Sequence, residues 1–178
     1  MLVMIGASAS GKTEAAKQII NKYGFEKMIT YTTRSMRPGE VNGVDYHFIS
    51  KEEFLNRDAK NEFLETTVYR DNYYGTAFKD ADYKKVLIVD PSGANKIYEK
   101  LKERVTIFYL DAPKEVRRLR MLNRQDNPEE IQKRLDCDDA YFSPENIIHV
   151  DYVINSSDCT ISELADRIYQ LYEMKHSK

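Results

Sequence analysis

No run of apolar residues in this sequence is long enough to span a bilayer. The opening stretch Met1-Leu2-Val3-Met4-Ile5 gives way at once to Gly6, whereas a transmembrane helix needs roughly 20 apolar residues. The stretch is also too short for a signal-peptide core and is expected to be a buried strand. Cysteine is scarce: Cys137 and Cys159 form no CxxC pair and have no ligand neighbours at metal-binding spacing. That argues against a disulfide framework or a zinc site and leaves two reduced thiols. An excess of either charge is also missing, because 27 basic and 29 acidic residues leave a formal charge of −2. The electrostatic footprint of a nucleic-acid binder is therefore lacking, and the mixed surface charge fits a soluble cytoplasmic protein. The three histidines, His47, His149 and His176, lie far apart and are assigned no catalytic role. At 178 residues the chain suits one compact domain, able to bury roughly 70% of its unfolded surface without disulfides or a structural metal.

Four apolar runs read as strands of a buried parallel sheet: Leu2–Ile5, Val86–Val89, Val105–Leu110 and Tyr152–Ile154. Helical stretches lie between them. Thr13–Ile20 follows the first strand directly. Asn127-Pro128-Glu129-Glu130 supplies an N-cap, a proline at the first helical position and early carboxylates. Thr160-Ile161-Ser162-Glu163 is a capping box, after which Ile161, Leu164, Ile168 and Leu171 recur on one face. The alternation predicts an α/β, doubly wound core. From about Thr30 to Tyr83 the rhythm breaks into Tyr-, Thr-, Arg- and Asn-rich segments, with one helix started by Ser50-Lys-Glu-Glu53. This stretch is too aromatic for a linker and reads as an inserted lobe.

Gly6-Ala7-Ser8-Ala9-Ser10-Gly11-Lys12-Thr13 satisfies G-x-x-x-x-G-K-[ST], with a hydrophobic strand before it and a helix after it. The chemistry demands this arrangement. Loop N–H groups and the positive end of the helix wrap nucleotide phosphates. Lys12 is placed to reach the β- and γ-phosphates of ATP, and the Thr13 hydroxyl to ligate Mg²⁺. Residues Ala7 to Thr13 are thus the candidate ATP site.

A phosphate loop does not say what receives the phosphoryl group. The segment Thr32-Thr33-Arg34-Ser35-Met36-Arg37-Pro38-Gly39-Glu40-Val41-Asn42-Gly43-Val44-Asp45-Tyr46-His47-Phe48 is more specific. Two arginines three apart and a tyrosine nine further on can surround a small dianion with forked donors and a hydroxyl. The segment resembles the guanylate kinase family pattern T-T-R-x-x-R-x-G-E-x-x-G-x-D-Y-x-F. The likeness continues through Asn61-Glu62-Phe63-Leu64-Glu65, Asn72-Tyr73-Tyr74-Gly75-Thr76, Asp90-Pro-Ser-Gly93, the arginine-rich stretch and Asn155.

That resemblance implies a parallel-sheet P-loop core with helices on both faces, an inserted lobe for the nucleoside monophosphate and a small helical lid. The implied boundaries are about residues 1–29, 84–115 and 137–178 for the core, 30–83 for the lobe and 116–136 for the lid. It implies transfer of a phosphoryl group from MgATP to GMP. Arg34, Arg37, Tyr46 and Tyr74 would hold the GMP phosphate, Thr30, Glu65 and Thr76 would read guanine, and Asp90 would lie beside the acceptor. Asn155 would contact ATP, while Lys12, Arg34, Arg120, Arg124 and Arg134 would serve catalysis. Tyr73 is expected to pack in the core.

Arg117, Arg120 and Arg124 fall at i, i+3 and i+7 of a stretch read as a helix over Val116–Arg124. Such cations can meet the charge that spreads over a transferring phosphoryl group. Arg117 has no family counterpart and is expected to lie on the surface. No general base is called for, because a phosphate acceptor oxygen is already anionic and the task reduces to positioning and charge neutralisation.

The chain departs from the family at Ile88 and Ser92, where an acid and a Gln are usual, and at Ala7 and Ala9, where Pro and Gly are usual. A positive φ at Ala9 would cost roughly 1 kcal/mol. Two other readings stand against the main one. A small kinase forming a ribose bisphosphate would have little use for Glu65 beside the Asn42–Phe48 segment. A non-catalytic interaction module would not be expected to keep Lys12, Thr13, Arg120, Arg124 and Arg134. Partners are expected to be GMP and ATP, with neither nucleic acid nor membrane, on a monomer or homodimer.

Overall fold

The computed structural model describes residues 1–69 and 71–177. Strand β1 (Leu2–Ile5) leads through the glycine-rich loop into helix α1 (Lys12–Tyr23). Gly24 ends α1 in the left-handed conformation, at φ 67°. Strands β2 (Glu26–Lys27), β3 (Tyr31–Thr32) and β4 (His47–Phe48) precede α2 (Lys51–Ala59) and the long hairpin of β5 (Phe63–Tyr69) and β6 (Asn72–Ala77). Then come β7 (Lys85–Ile88), α3 (Pro91–Leu101), β8 (Thr106–Asp111), α4 (Lys114–Asn123), α5 (Pro128–Tyr141), β9 (Tyr152–Asn155) and α6 (Ile161–His176).

The main sheet runs β2-β7-β1-β8-β9, with every pairing parallel. β1 is buried on both sides and sorts its residues with period two. Leu2 and Met4 join Ala15, Ile19, Leu164 and Ile168 beneath α1 and α6, whereas Val3 and Ile5 join Ala94, Ile97 and Leu101 beneath α3. The expected doubly wound core is therefore present. β2 was not legible, because two exposed charged residues carry no apolar signal.

α3 was also not foreseen, although its start repeats a signal read elsewhere. Asp90 caps it by accepting from the Gly93 N–H at 2.7 Å, with Pro91 in the first turn. The Asn127-Pro128 start of α5 is of the same kind and forms as expected. The Thr160 capping box forms with both reciprocal bonds. At Ser50 only half of the box is made: Ser50 Oγ accepts from Glu53 N, and the Glu53 side chain pairs instead with Arg57.

A second sheet, β4-β3-β6-β5, forms the inserted lobe around its own small core of Tyr31, Phe54, Phe63 and Ala77, with Tyr73 packed against it as expected. A fourth cluster, Met121, Ile131 and Leu135, holds α4 and α5 together. Among the described residues no helix is long and apolar enough to cross a membrane.

Candidate active site

The C-terminal ends of β1, β7, β8 and β9 lie side by side in the parallel sheet. Loops leaving that edge of an open α/β sheet are where ligands bind. The loop after β1 is shaped by its glycines. Gly6 has φ 147°, and a Cβ there would lie 2.4 Å from the Leu110 carbonyl oxygen, so the close passage beside β8 demands glycine. Gly11 sits at the N-cap of α1 with φ 97° and no side-chain cap, which leaves the helix N–H groups for an anion.

Ala9 adopts φ 61°, so the strain foreseen for it is present, at roughly 1 kcal/mol. Its methyl group packs against the Met121, Ile131 and Leu135 cluster. Ala9 is only partly buried, so this contact offsets only part of that cost. Ser10 is buried, Ala7 nearly so and Ser8 half-buried.

Lys12 Nζ donates to the Gly6 carbonyl at 2.6 Å and the Ala7 carbonyl at 2.8 Å, with Ser10 Oγ at 3.3 Å. Burial lowers its pKa from 10.5 to about 8, against the opposing pull of Asp138. Thr13 is exposed at the start of α1 and lines a cleft of about 330 Å³ with Lys17, Thr30, Tyr46 and Ile88. Among the described residues no group of three or more His, Cys, Asp or Glu is arranged to hold a metal. A single hydroxyl beside a phosphate cradle still fits Mg²⁺, which keeps several waters and is held largely by substrate phosphates.

The acceptor side forms a pocket of about 440 Å³ lined by Thr30, Tyr46, Glu65, Thr67, Tyr74, Thr76, Ile88 and Asp90, among others. Cross-strand register places Glu65 opposite Thr76. Thr76 Oγ1 donates to Glu65 Oε1 at 2.7 Å, and Glu65 is only 8% exposed. Burial pushes the Glu65 carboxyl above the usual carboxylate range, although the Thr76 hydrogen bond pulls the other way.

Arg34 lies over the rings of Tyr46 and Phe48, and Tyr46 meets Tyr74 edge-on at 6.1 Å. The Arg34 guanidinium pairs with Glu40 at 2.6 Å, and the other Glu40 oxygen accepts from the Arg37 N–H at 2.7 Å. Glu40 thus fixes both expected phosphate-binding arginines, one by its side chain and one by its backbone. Arg37 is exposed.

The lid arginines are placed unequally. Arg120 reaches the loop, donating to the Ala9 carbonyl at 3.1 Å and the Ser156 carbonyl at 2.6 Å. Arg124 is the exposed C-cap of α4, and its charge is felt at Lys12. Arg134 is exposed and pairs with Asp126 at 3.2 Å. Asn155 ends β9 exposed, with its side chain accepting from Ser157.

Arg117 corrects the sequence reading. It is buried, at 6% exposure, because α5 covers it and supplies Asp138 and Asp139 as partners, each at 3.2 Å. A family comparison gives no warning of this, since the partners lie 21 and 22 residues away.

Two further residues, Ser156 and Asp138, hold the phosphate loop. Ser156 is buried and donates to the Ser10 carbonyl at 2.7 Å, tying β9 to the phosphate loop. Asp138 accepts from the Ser8 N–H at 2.8 Å. A serine after a strand and an aspartate in an acidic helix carry no sequence signal of such roles.

The model of the guanylate kinase family matches residues 1–171. The chain belongs to the guanylate kinase family. A guanylate kinase of Neisseria meningitidis is 36% identical over 171 residues, covering 92% of this chain and 82% of its own length. One from Anaplasma phagocytophilum is 32% identical and covers all of this chain and 88% of its own. The crystal structure of guanylate kinase from Anaplasma phagocytophilum superimposes with a TM-score of 0.71 at 28% identity, covering 100% of this chain and 86% of that one. A shikimate kinase of Acinetobacter baumannii, 18% identical with a TM-score of 0.57, shares the fold. None of these relatives favours the ribose-bisphosphate or interaction-module reading.

Proposed function

We propose that this family member transfers the γ-phosphoryl group of MgATP to GMP, giving ADP and GDP. The observation that carries the substrate assignment is the Glu65–Thr76 pair. A buried carboxylate, already receiving one hydroxyl, faces a pocket that also presents two tyrosines and lies beside an arginine. Guanine offers two donors on its pairing edge, N1–H and the 2-amino group, and a carboxylate accepts both. Adenine offers an acceptor at N1 and no 2-amino group, so it leaves the carboxylate unpaired.

In this reading Arg34, Arg37, Tyr46 and Tyr74 hold the GMP phosphate, Thr30 and Thr76 flank the base and Asp90 borders the pocket. The loop residues Ala7 to Thr13 cradle the ATP phosphates, with Asn155 near the nucleotide. Mg²⁺, held by Thr13 and the phosphates, would neutralise charge on the β- and γ-oxygens. Lys12 leaves its carbonyl partners for the phosphates, and Arg120, Arg124 and Arg134 close over them. No side chain need remove a proton, because the attacking phosphate oxygen is anionic.

The residue groupings proposed are a core of about 1–29, 84–115 and 137–178, a lobe of 30–83 and a lid of 116–136. The separate clusters under each support them. The proposed compartment is the cytoplasm, and the proposed partners are the two nucleotides.

Coupled measurement of ADP release with GMP, dGMP, AMP, CMP and UMP tests the assignment. Turnover is expected with the guanine acceptors alone. Equal turnover with AMP would overturn it.

A further inference from the structure

The Asp90 carboxylate has both oxygens engaged. Oδ1 accepts from the Gly93 N–H at 2.7 Å, and Oδ2 accepts from the Tyr141 hydroxyl at 3.1 Å. The first bond anchors one oxygen but leaves the carboxylate plane free, because the terminal torsion of Asp is broad and nearly unrestrained. The second bond fixes that plane. Asp90 borders the same pocket as Glu65, whose charge it opposes, so its orientation bears directly on what the pocket accepts.

Tyr141 is the last residue of α5, and Asp138 stands one turn before it. Residues at i and i+3 share a helix face. On that face Asp138 accepts from the Ser8 N–H of the phosphate loop at 2.8 Å and pairs with Arg117. One short helical stretch thus touches the donor loop through Asp138 and the acceptor strand end through Tyr141. All four residues, Ser8, Asp90, Asp138 and Tyr141, fall within the proposed core segments, the last two on the final turn of α5 rather than on its earlier part, which belongs to the lid.

We infer that Tyr141 is a positioning residue for the acceptor site, holding the Asp90 carboxylate in the plane that serves bound GMP. The inference rests on the assignment of Asp90 to the GMP pocket. Tyr141 is 47% exposed, and among the described residues its ring has one aromatic partner, Phe142, met edge-on at 5.9 Å. Loss of the hydroxyl in Tyr141→Phe therefore leaves packing intact and removes one hydrogen bond to a charged group.

Steady-state kinetics and thermal melting of the wild type, Tyr141→Phe, Asp90→Asn and the double variant test it. Tyr141→Phe is expected to raise KM for GMP by up to about tenfold, the scale of one such bond. The ATP KM and melting temperature should stay at their wild-type values. Asp90→Asn, which keeps an N-capping side chain, should raise the GMP KM as well. In the Asp90→Asn background, Tyr141→Phe should add nothing.

A raised GMP KM in Asp90→Asn beside an unchanged one in Tyr141→Phe would overturn the role of Tyr141 alone. Equal increments from Tyr141→Phe in both backgrounds would do the same, since the effect would not pass through Asp90. A lowered melting temperature with unchanged KM would make Tyr141 merely structural. An unchanged GMP KM in Asp90→Asn would remove the assignment of Asp90, and the inference with it.

Discussion

Thr76 Oγ1 donates to one oxygen of Glu65, and among the described residues the other oxygen has no hydrogen-bond partner. The carboxylate is 8% exposed and lines the acceptor pocket, so in the proposed reading guanine donors satisfy its second oxygen, whereas a base without them excludes solvent and leaves that oxygen unpaired. Glu65→Gln keeps the shape and can still present its carbonyl to Thr76. Its amide then points donors at guanine donors. The GMP kcat/KM is expected to fall on the order of 10² to 10³, with the ATP KM nearly unchanged. An unchanged ratio of GMP to AMP efficiency would show that Glu65 does not read the base.

Lys12 carries a pH signature. Its pKa is lowered to about 8 by burial, so the free enzyme loses this charge as pH rises through that value. The profile of kcat/KM for ATP, which reports the free enzyme, should decline above about pH 8. The kcat profile should hold to higher pH, because bound phosphates favour the charged form. The folded chain also binds fewer protons here than the unfolded one between about pH 8 and 10.5, so this group adds stability as pH rises. Lys12→Ala is expected to lower turnover by on the order of 10² to 10³ without unfolding the chain. Near-normal activity in a folded Lys12→Ala protein would defeat the assignment of the loop.

The phosphate loop, the four main strands and the α5 and α6 caps were legible because each rests on local chemistry. Gly6 and Gly11 answer to backbone geometry, and Asn127 and Thr160 answer to unpaired helix N–H groups. The arginines of α4 were harder to sort. Arg117, Arg120 and Arg124 share a spacing, yet one is buried in a carboxylate pair, one grips the loop and one is exposed. What separates them is α5 and the loop, which approach from elsewhere in the chain. Asp138, Tyr141 and Ser156 were illegible for the same reason: their partners are set by tertiary packing. α3 is a different case, since Asp90-Pro91 is a local cap of the same kind as Asn127-Pro128, lying directly after an apolar strand.

Arg117 should matter for stability rather than chemistry. Its side chain is 7% exposed and bridges Asp138 and Asp139, with a further bond to the Ala112 carbonyl. Breaking a buried pair strands the remaining charge and costs about 3 to 5 kcal/mol, with Asp138 the more buried of the two carboxylates. Chemical denaturation of Arg117→Ala should show a loss of that order. A loss under about 1 kcal/mol, the scale of a surface pair, would mean that solvent reaches the site.

The four apolar clusters are distributed as two against the faces of the main sheet, one inside the lobe and one between α4 and α5. Elements that carry their own cores can move as rigid bodies, with little packing lost at the joints. The lobe has a fixed side, because Lys96 and Lys100 of α3 donate to the Thr66 and Phe63 carbonyls of β5 and Leu64 packs into the main core. Motion is therefore expected as a swing about β5, carrying Arg34 and Tyr46 toward the loop. Closure of this kind shields the reacting phosphates from water and suppresses hydrolysis of ATP. Small-angle scattering should show the radius of gyration shrink on binding a bisubstrate analogue, toward the roughly 16 Å of a compact chain this long. No compaction at saturating analogue would mean that the lobe and lid are already in place, and that selectivity comes from the preformed pocket alone.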